Sequence, residues 1–315
     1  MKILFTFVPP EKVQDELREE YPGFQLHFSR IGTAGEILPD AEIIVTYGED
    51  LNDGHIQKAE KLKWIMIMSA GMERMPFEAC AKREILVTNA RGIHKIPMAE
   101  FTIGTMLKHV KQFPLIEKNE VHEEWDRKVK VGELAGKNIL VLGIGAIGGE
   151  TARLAKAFRM SVTGINRSGR PHKDADQTDT FANIGSYLPE ADFVVSVLPS
   201  TDETRYLLAE EHFRMMKDSA VFINIGRGDL VKEETLLKVM EEQVIAHAYL
   251  DVFQTEPLPK GHPFWKMDNV TVTPHISSIT ERYLPRSLEI FKHNLQAYRN
   301  NDGSYINEIN LSRGY

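Results

Sequence analysis

Three polar residues carry the strongest chemical signal in this 315-residue chain. Arg227 lies in Asn224-Ile225-Gly226-Arg227-Gly228-Asp229, Glu256 in Asp251-Val252-Phe253-Gln254-Thr255-Glu256-Pro257, and His275 in Thr273-Pro274-His275. Each follows a short apolar run that reads as a strand: 221–225, 246–250 and 270–273. Ligands of an open α/β sheet bind outside the carboxyl ends of its strands, so the three segments should converge on one crevice. Their types suit hydride transfer to a 2-oxo acid. A guanidinium fork can hold the carboxylate and polarise the ketone beside it. The alkoxide that develops needs a proton, which an imidazole gives near neutral pH. A carboxylate on the far ring nitrogen would orient the ring. Taken singly, each residue has an ordinary alternative: a histidine bonded for structure, an arginine or glutamate on a surface. His27, His55, His109 and His293 are read in that ordinary way.

A hydride donor has an equally specific place. Ile139-Leu140-Val141-Leu142 reads as a buried strand, Gly143-Ile144-Gly145-Ala146-Ile147-Gly148 follows at once, and Ile147, Thr151, Leu154 and Phe158 then recur at helical spacing. Strand, G-x-G-x-x-G, helix is the context of a dinucleotide fingerprint. Gly143 allows the tight turn. Gly145 lets backbone N–H groups, with those of Ala146 and Ile147, approach a pyrophosphate. Gly148 lets helix and strand pack closely. The helix N-terminus adds open donors and a positive dipole end. About twenty residues on, NAD-specific folds place an acid for the ribose hydroxyls. Here that place reads Gly164-Ile165-Asn166-Arg167-Ser168-Gly169-Arg170, without a carboxylate. Asn166, Arg167, Ser168 and Arg170 suit a 2′-phosphate instead, so NADP(H) is expected ahead of NAD(H). The alternative is that Arg167 and Arg170 are solvated loop charges.

The surrounding elements supply the frame. Strand patterns at 2–7, 24–28, 42–47, 64–68 and 85–88 alternate with helix-compatible segments such as 10–20 and 51–61, which argues for a parallel sheet covered by helices. A long helix is expected from about Met98 to Lys111, then a loop and short helix over 117–130. A second series begins at Asn138, with six strands at 138–142, 161–165, 193–197, 221–225, 246–250 and 270–273. After Pro274 a helix with Leu288, Phe291, Leu295 and Tyr298 on one face should return to the first domain.

Composition bounds the function classes. The chain is 42% hydrophobic and 26% charged, long enough for two domains. A net charge of −7 argues against an extended nucleic-acid footprint. No apolar run is long enough to span a bilayer. Cys80 is the single cysteine and reads as a small core residue. With no leader evident before the first strand, the expectation is a cytoplasmic protein. No metal-ligand spacing appears: His122-Glu123-Glu124 has no second histidine four residues on.

Taken together, these residues resemble the D-isomer-specific 2-hydroxyacid dehydrogenase family over nearly the whole chain, most specifically over 139–275. The resemblance implies Arg227 as the substrate-binding arginine, Glu256 as the histidine-orienting acid and His275 as the proton donor. In Asp192-Phe193-Val194-Val195-Ser196-Val197-Leu198-Pro199 it implies Leu198 and Pro199 on the adenosine side, followed by Thr201 and Thr204. Ile225, Gly226 and Thr102 would lie near the cofactor, and Asp251 would meet the nicotinamide amide. Ser69-Ala70-Gly71-Met72 resembles a loop whose backbone N–H groups grip the substrate carboxylate. The implied fold is α/β: a Rossmann domain over 98–284, inserted in a flavodoxin-like substrate domain of 1–97 plus 285–315. Homodimers and closure over the crevice are implied as well.

Glu73, Gly149 and Gly226 depart from the common pattern, and the missing ribose acid resembles the NADP-using glyoxylate/hydroxypyruvate reductase branch. The expected activity is NADPH-dependent reduction of a small 2-oxo acid to a D-2-hydroxy acid, with glyoxylate or hydroxypyruvate as first substrates. A phosphoglycerate-type NAD-dependent dehydrogenase and a non-catalytic nucleotide-sensing scaffold are the alternatives. Tyr283, Trp265 and Met72 are candidate pocket liners that could equally be packing.

Overall fold

Period-two alternation along short apolar strands sets the architecture. In the computed structural model, which describes all residues but 70, 71, 73 and 312–315, the chain forms two compact units: Met1–Ile93 with Glu281–Tyr315, and His94–Thr280. In the first unit, β1 (Lys2–Phe5), β2 (Gln25–Phe28), β3 (Ile43–Thr46), β4 (Trp64–Ile67) and β5 (Leu86–Asn89) form a parallel sheet of order β2-β1-β3-β4-β5. This is a flavodoxin-like order. Leu4, Ile44, Ile65 and Ile67 enter one core cluster, while Ile3, Phe5, Ile43, Val45, Trp64 and Met66 enter another. Both faces are covered, as an all-parallel sheet requires. The buried Trp64 indole donates to Thr88 Oγ1 at 3.0 Å. Helices α1 (Glu11–Glu20), α2 (Asp53–Lys58) and α3 (Phe77–Lys82) connect the strands. Cys80, in α3, is fully buried, and burial pushes its thiol up to about 11.

The second unit opens with α4 (Lys95–Val110) and α5 (Phe113–Val121). The first starts one turn before Met98, because Pro97 sits in its first turn, where a missing N–H costs no helical bond. Gln112, at φ +55°, separates the two helices, so the second begins earlier than the charged stretch 117–130. Next come β6 (Asn138–Leu142), α6 (Ala146–Ala157), β7 (Ser161–Ile165), β8 (Gln177–Asp179), β9 (Phe193–Ser196), α7 (Glu210–Met215), β10 (Val221–Asn224), α8 (Glu233–Glu241), β11 (His247–Leu250) and β12 (Val270–Val272). The sheet is parallel, in the order β12-β11-β10-β9-β6-β7-β8. It has seven strands where six were expected. The extra edge strand, β8, is Gln-Thr-Asp, which carries no apolar run to announce it. Alternation again splits the core: Leu140, Leu142, Val194, Phe222 and Leu250 on one face, Ile139, Val141, Val195, Ile223 and Tyr249 on the other.

The last helix, α9 (Tyr283–Asn300), starts well after Pro274. Leu288, Phe291 and Leu295 pack with Ile3, Phe5 and Trp64 in the first unit's core.

Candidate active site

The strand order of the second unit reverses between β6 and β9. All its strands are parallel, so the loops after β6, β7, β9, β10, β11 and β12 share one rim, the place where open sheets bind ligands.

On the β10 side of that rim, Asn224 shapes the loop that carries Arg227. Its Oδ1 accepts from Gly226 N at 3.1 Å, and its Nδ2 donates to Arg227 O at 2.9 Å. Arg227 is exposed. Its Nη1 donates to Gly226 O at 2.8 Å, and no ion-pair partner lies beside it among the described residues. Gly226 has no space for a side chain: a Cβ there would sit 2.6 Å from Leu198 O and 2.8 Å from Leu198 N. That contact leaves no room for any side chain before the arginine.

Glu256 and His275 meet. His275 Nδ1 is 2.8 Å from Glu256 Oε2, and Glu256 Oε1 accepts from Phe253 N at 2.9 Å. Both oxygens of the acid are thereby fixed, and the ring is held through one nitrogen. Nε2 has no protein partner among the described residues. The backbone of His275 is left-handed, at φ +53°, a conformation that costs a residue with a Cβ of order 1 kcal/mol or more. Asp251, only 1% exposed, bonds the residues on either side of His275. Its Oδ1 accepts from Thr273 Oγ1 at 2.6 Å and Ile276 N at 2.9 Å, and its Oδ2 from Ser277 N at 2.9 Å. Beside the pair opens a cavity of about 630 Å³, lined chiefly by Phe253, Leu258, Trp265, Val272 and Pro274.

On the β6 side, the chain leaves the strand through Gly143, at φ +100°, a conformation open to glycine at little cost. Gly145 caps α6 and has open space around it. A Cβ on Gly148 would sit 2.3 Å from Gly143 O and 2.9 Å from Val141 Cγ1, so only glycine lets the helix lie this close to the strand. The N–H groups of Ala146, Ile147 and Gly148 fall in the first turn, where no intrahelical acceptor exists. Gly149 is a second consequence of close packing: the His172 ring occupies the space its side chain would take, 2.6 Å from a Cβ.

After β7, Asn166 builds a self-bonded turn. Its Oδ1 accepts from Ser168 N at 3.0 Å, and its Nδ2 donates to Arg170 O at 2.9 Å. Arg167, Ser168 and Arg170 are exposed. Arg167 pairs with Glu203 at 2.7 Å, an acid in the loop after β9 that no sequence signal linked to it. In that loop Leu198 is buried and Pro199 exposed. The Thr204 hydroxyl donates to Pro199 O at 2.6 Å and accepts from Thr201 N at 2.9 Å, so it shapes the turn. The Thr102 hydroxyl bonds Met98 O within its own helix and is fully buried. Ile225 is buried, with its N bonded to Ser196 O. Ala70 and Gly71 lie outside the described residues. Met72 packs against the first unit's core, and its sulfur accepts from Asn89 Nδ2.

Thus Arg227, Glu256, His275 and the glycine turn stand on one rim of one sheet. Sequence reasoning missed the Asp251 hydrogen bonds and the Arg167–Glu203 pair. An acid just past the end of β11, one strand over from the histidine loop, carries no spacing signature. Among the described residues no cluster of His, Cys, Asp and Glu could hold a metal, and no helix is long and apolar enough to cross a membrane.

The family model described as D-isomer specific 2-hydroxyacid dehydrogenase, NAD binding domain, matches residues 103–277. The D-3-phosphoglycerate dehydrogenase of Methanocaldococcus jannaschii is 35% identical over 253 residues, which are 78% of this chain; the match spans about half (47%) of that protein's length. The glyoxylate reductase of Thermofilum pendens is 35% identical over 267 residues, 82% of this chain and 79% of that protein. A crystal structure of a D-isomer specific 2-hydroxyacid dehydrogenase from Xanthobacter autotrophicus Py2, in complex with NADPH and MES, superposes with a TM-score of 0.81 at 26% identity, covering 100% of this chain and 99% of that one. With the family model matching more than half of the chain, and a relative above 30% identity matched over most of its length, this chain belongs to the D-isomer specific 2-hydroxyacid dehydrogenase family, NAD(P)-dependent oxidoreductases that act on the CH–OH group of 2-hydroxy acids.

Proposed function

We propose that this chain uses NADPH to reduce small 2-oxo acids to D-2-hydroxy acids, with glyoxylate and hydroxypyruvate the first candidates. One observation carries the reading: His275 Nδ1 is held 2.8 Å from Glu256 while Nε2 stays open, on the same rim as Arg227. The residues fit a dinucleotide. Gly148 leaves room only for close backbone packing, and the first turn of α6 offers open N–H groups to a pyrophosphate. Gly143, Gly145, Ala146 and Ile147 form that cradle, Leu198 and Pro199 flank the adenosine, and Ile225 and Gly226 continue the floor. Asn166, Arg167, Ser168 and Arg170 take the 2′-phosphate through charge-assisted bonds. Arg167 leaves Glu203 to do so, at little cost, since both partners are largely exposed.

When bound, the nicotinamide supplies a hydride. Arg227 grips the substrate carboxylate with its fork and draws electron density from the neighbouring carbonyl. His275 delivers a proton from Nε2 to the carbonyl oxygen as negative charge gathers there. Glu256 keeps the ring aimed and balances the charge it carries before the transfer. The relatives named glyoxylate reductase support this substrate class.

Two copies of the chain pair, on this reading. Phe113, Leu115, Ile116, Val121 and Trp125 are exposed on and just after α5, an apolar surface that a second copy would cover. A reducing compartment such as the cytoplasm suits the single buried thiol. The test is NADPH oxidation with a panel of 2-oxo acids that includes phosphohydroxypyruvate, repeated with NADH. Turnover of glyoxylate or hydroxypyruvate with NADPH preferred is expected. No turnover across the panel would leave a nucleotide-binding scaffold, and an NADH preference would reject the cofactor assignment.

A further inference from the structure

We propose that the His172 ring, seated on Gly149 of α6, is a positioning element for cofactor choice: it fixes the 2′-phosphate loop against the pyrophosphate helix and so favours NADPH over NADH. The inference deepens the NADPH reading given above and rests on it.

On that reading the two ends of the dinucleotide meet separate segments. The pyrophosphate meets the first turn of α6, and the ribose phosphate meets Arg167, Ser168 and Arg170 in the loop between β7 and β8. Charge-assisted bonds hold only over a narrow range of distance. The spacing of the two segments therefore decides whether a 2′-phosphate gains from the loop. Bonds at the base fold this loop on itself and onto β8: Asn166 N donates to Asp179 O at 3.0 Å, and Thr178 Oγ1 to Gly169 O at 3.2 Å.

His172 carries the loop to α6. The three nearest atoms that a Cβ on Gly149 would meet all belong to this ring: Nε2 at 2.6 Å, Cε1 at 2.7 Å and Cδ2 at 3.7 Å. The ring thus lies against bare helix backbone, a seat that exists because residue 149 is glycine. Gly149 is buried, and its N–H donates to Gly145 O at 2.7 Å, which puts the seat one turn from the cradle. The ring is itself restrained. Asp174 N donates to Nδ1 at 3.3 Å, and Ala175 N to His172 O at 3.1 Å.

A glycine inside a helix is unfavourable for the helix alone. Here it admits a contact that holds two guanidinium groups in place before the cofactor arrives, so binding need not order them. NADH carries no 2′-phosphate and gains nothing from that preorganisation.

Gly149→Ala, His172→Ala, the two combined, and His172→Phe test this. The readouts are NADPH and NADH Kd by calorimetry and amide hydrogen exchange over 166–175 in the cofactor-free protein. Each single alanine variant should weaken NADPH about 10-fold, leave NADH within about twofold and speed exchange in the loop. Alanine at 149 favours the helix, so a weakened α6 would not give that pattern. The double variant should lose no more than the worse single one, since both break one contact. His172→Phe keeps a ring on the seat and should hold NADPH affinity within about threefold of the wild type. Losses that multiply in the double variant, equal losses of both cofactors, unchanged exchange, or a His172→Phe as weak as His172→Ala would each overturn the proposal. Should Gly149→Ala not fold, the two His172 variants decide. A wild type that binds NADPH no tighter than NADH overturns the NADPH reading, and this inference with it. A wild type that prefers NADPH, beside alanine variants that keep the preference, overturns this inference alone.

Discussion

The two halves of the rim of the seven-stranded sheet are built on opposite plans. The half formed by the loops after β6 and β7 turns its polar groups outward: first-turn N–H groups on α6, and exposed guanidinium groups, that of Arg167 paired with Glu203, on a turn that Asn166 bonds to itself. The half formed by the loops after β10, β11 and β12 spends most of its polar groups internally. Asn224, Asp251 and Glu256 each hold backbone, while the Arg227 guanidinium is exposed and His275 Nε2 has no protein partner among the described residues. A binding surface must keep donors available for its ligand. A proton donor must keep its position before the ligand arrives, so neighbouring groups are consumed in fixing it.

Breaking the open half at its tightest point should have the largest effect. Gly148→Ala places a methyl group 2.3 Å from Gly143 O, so the turn must shift away from the α6 N-terminus. NADPH binding by calorimetry should weaken roughly 100-fold or more, with a stability loss of about 1–3 kcal/mol. Near-normal affinity would mean the turn is not the cradle. Altering an exposed charge should do less, and do it selectively. Arg167→Ser should lower kcat/KM with NADPH by about 10- to 100-fold while leaving NADH nearly unchanged. Equal losses with both cofactors would remove Arg167 from 2′-phosphate recognition.

The smallest effect sharpens the comparison from the far end of β11. His247 packs 5.7 Å from the His109 ring and bonds Thr271 Oγ1 at 2.9 Å. Burial lowers both histidines, His247 to about 4. Protons then bind the unfolded chain near pH 6.5 but the folded chain only near 4. Stability is full above about pH 6.5 and is lost progressively as pH falls toward 4. The melting temperature should decline over that window, and less so in His247→Gln. An equal decline in the variant would clear His247 of the effect.

How much of this was legible in the sequence follows the same division. The glycine turn announced itself because tight packing leaves no choice of residue at Gly148. Arg227, Glu256 and His275 were legible because apolar strands precede them and few residue types can do their chemistry. The alternation that buries Leu140 on one face and Val141 on the other made the sheet legible too. The edge strand β8 was not, since an edge needs no apolar run. Nor were the bonds of Asp251, which reads as any acid after a strand: they reach Thr273, Ile276 and Ser277, far along the chain. The hydroxyls of Thr102 and Thr204, which the resemblance draws attention to, bond their own helix and turn.

The central claim is that His275, steadied by Glu256, protonates the carbonyl oxygen. Its most direct test is kcat/KM for the best 2-oxo acid at saturating NADPH, compared between the wild type and His275→Ala. The account predicts a fall of about 100- to 10,000-fold with NADPH affinity unchanged. Rates equal within about twofold would contradict it.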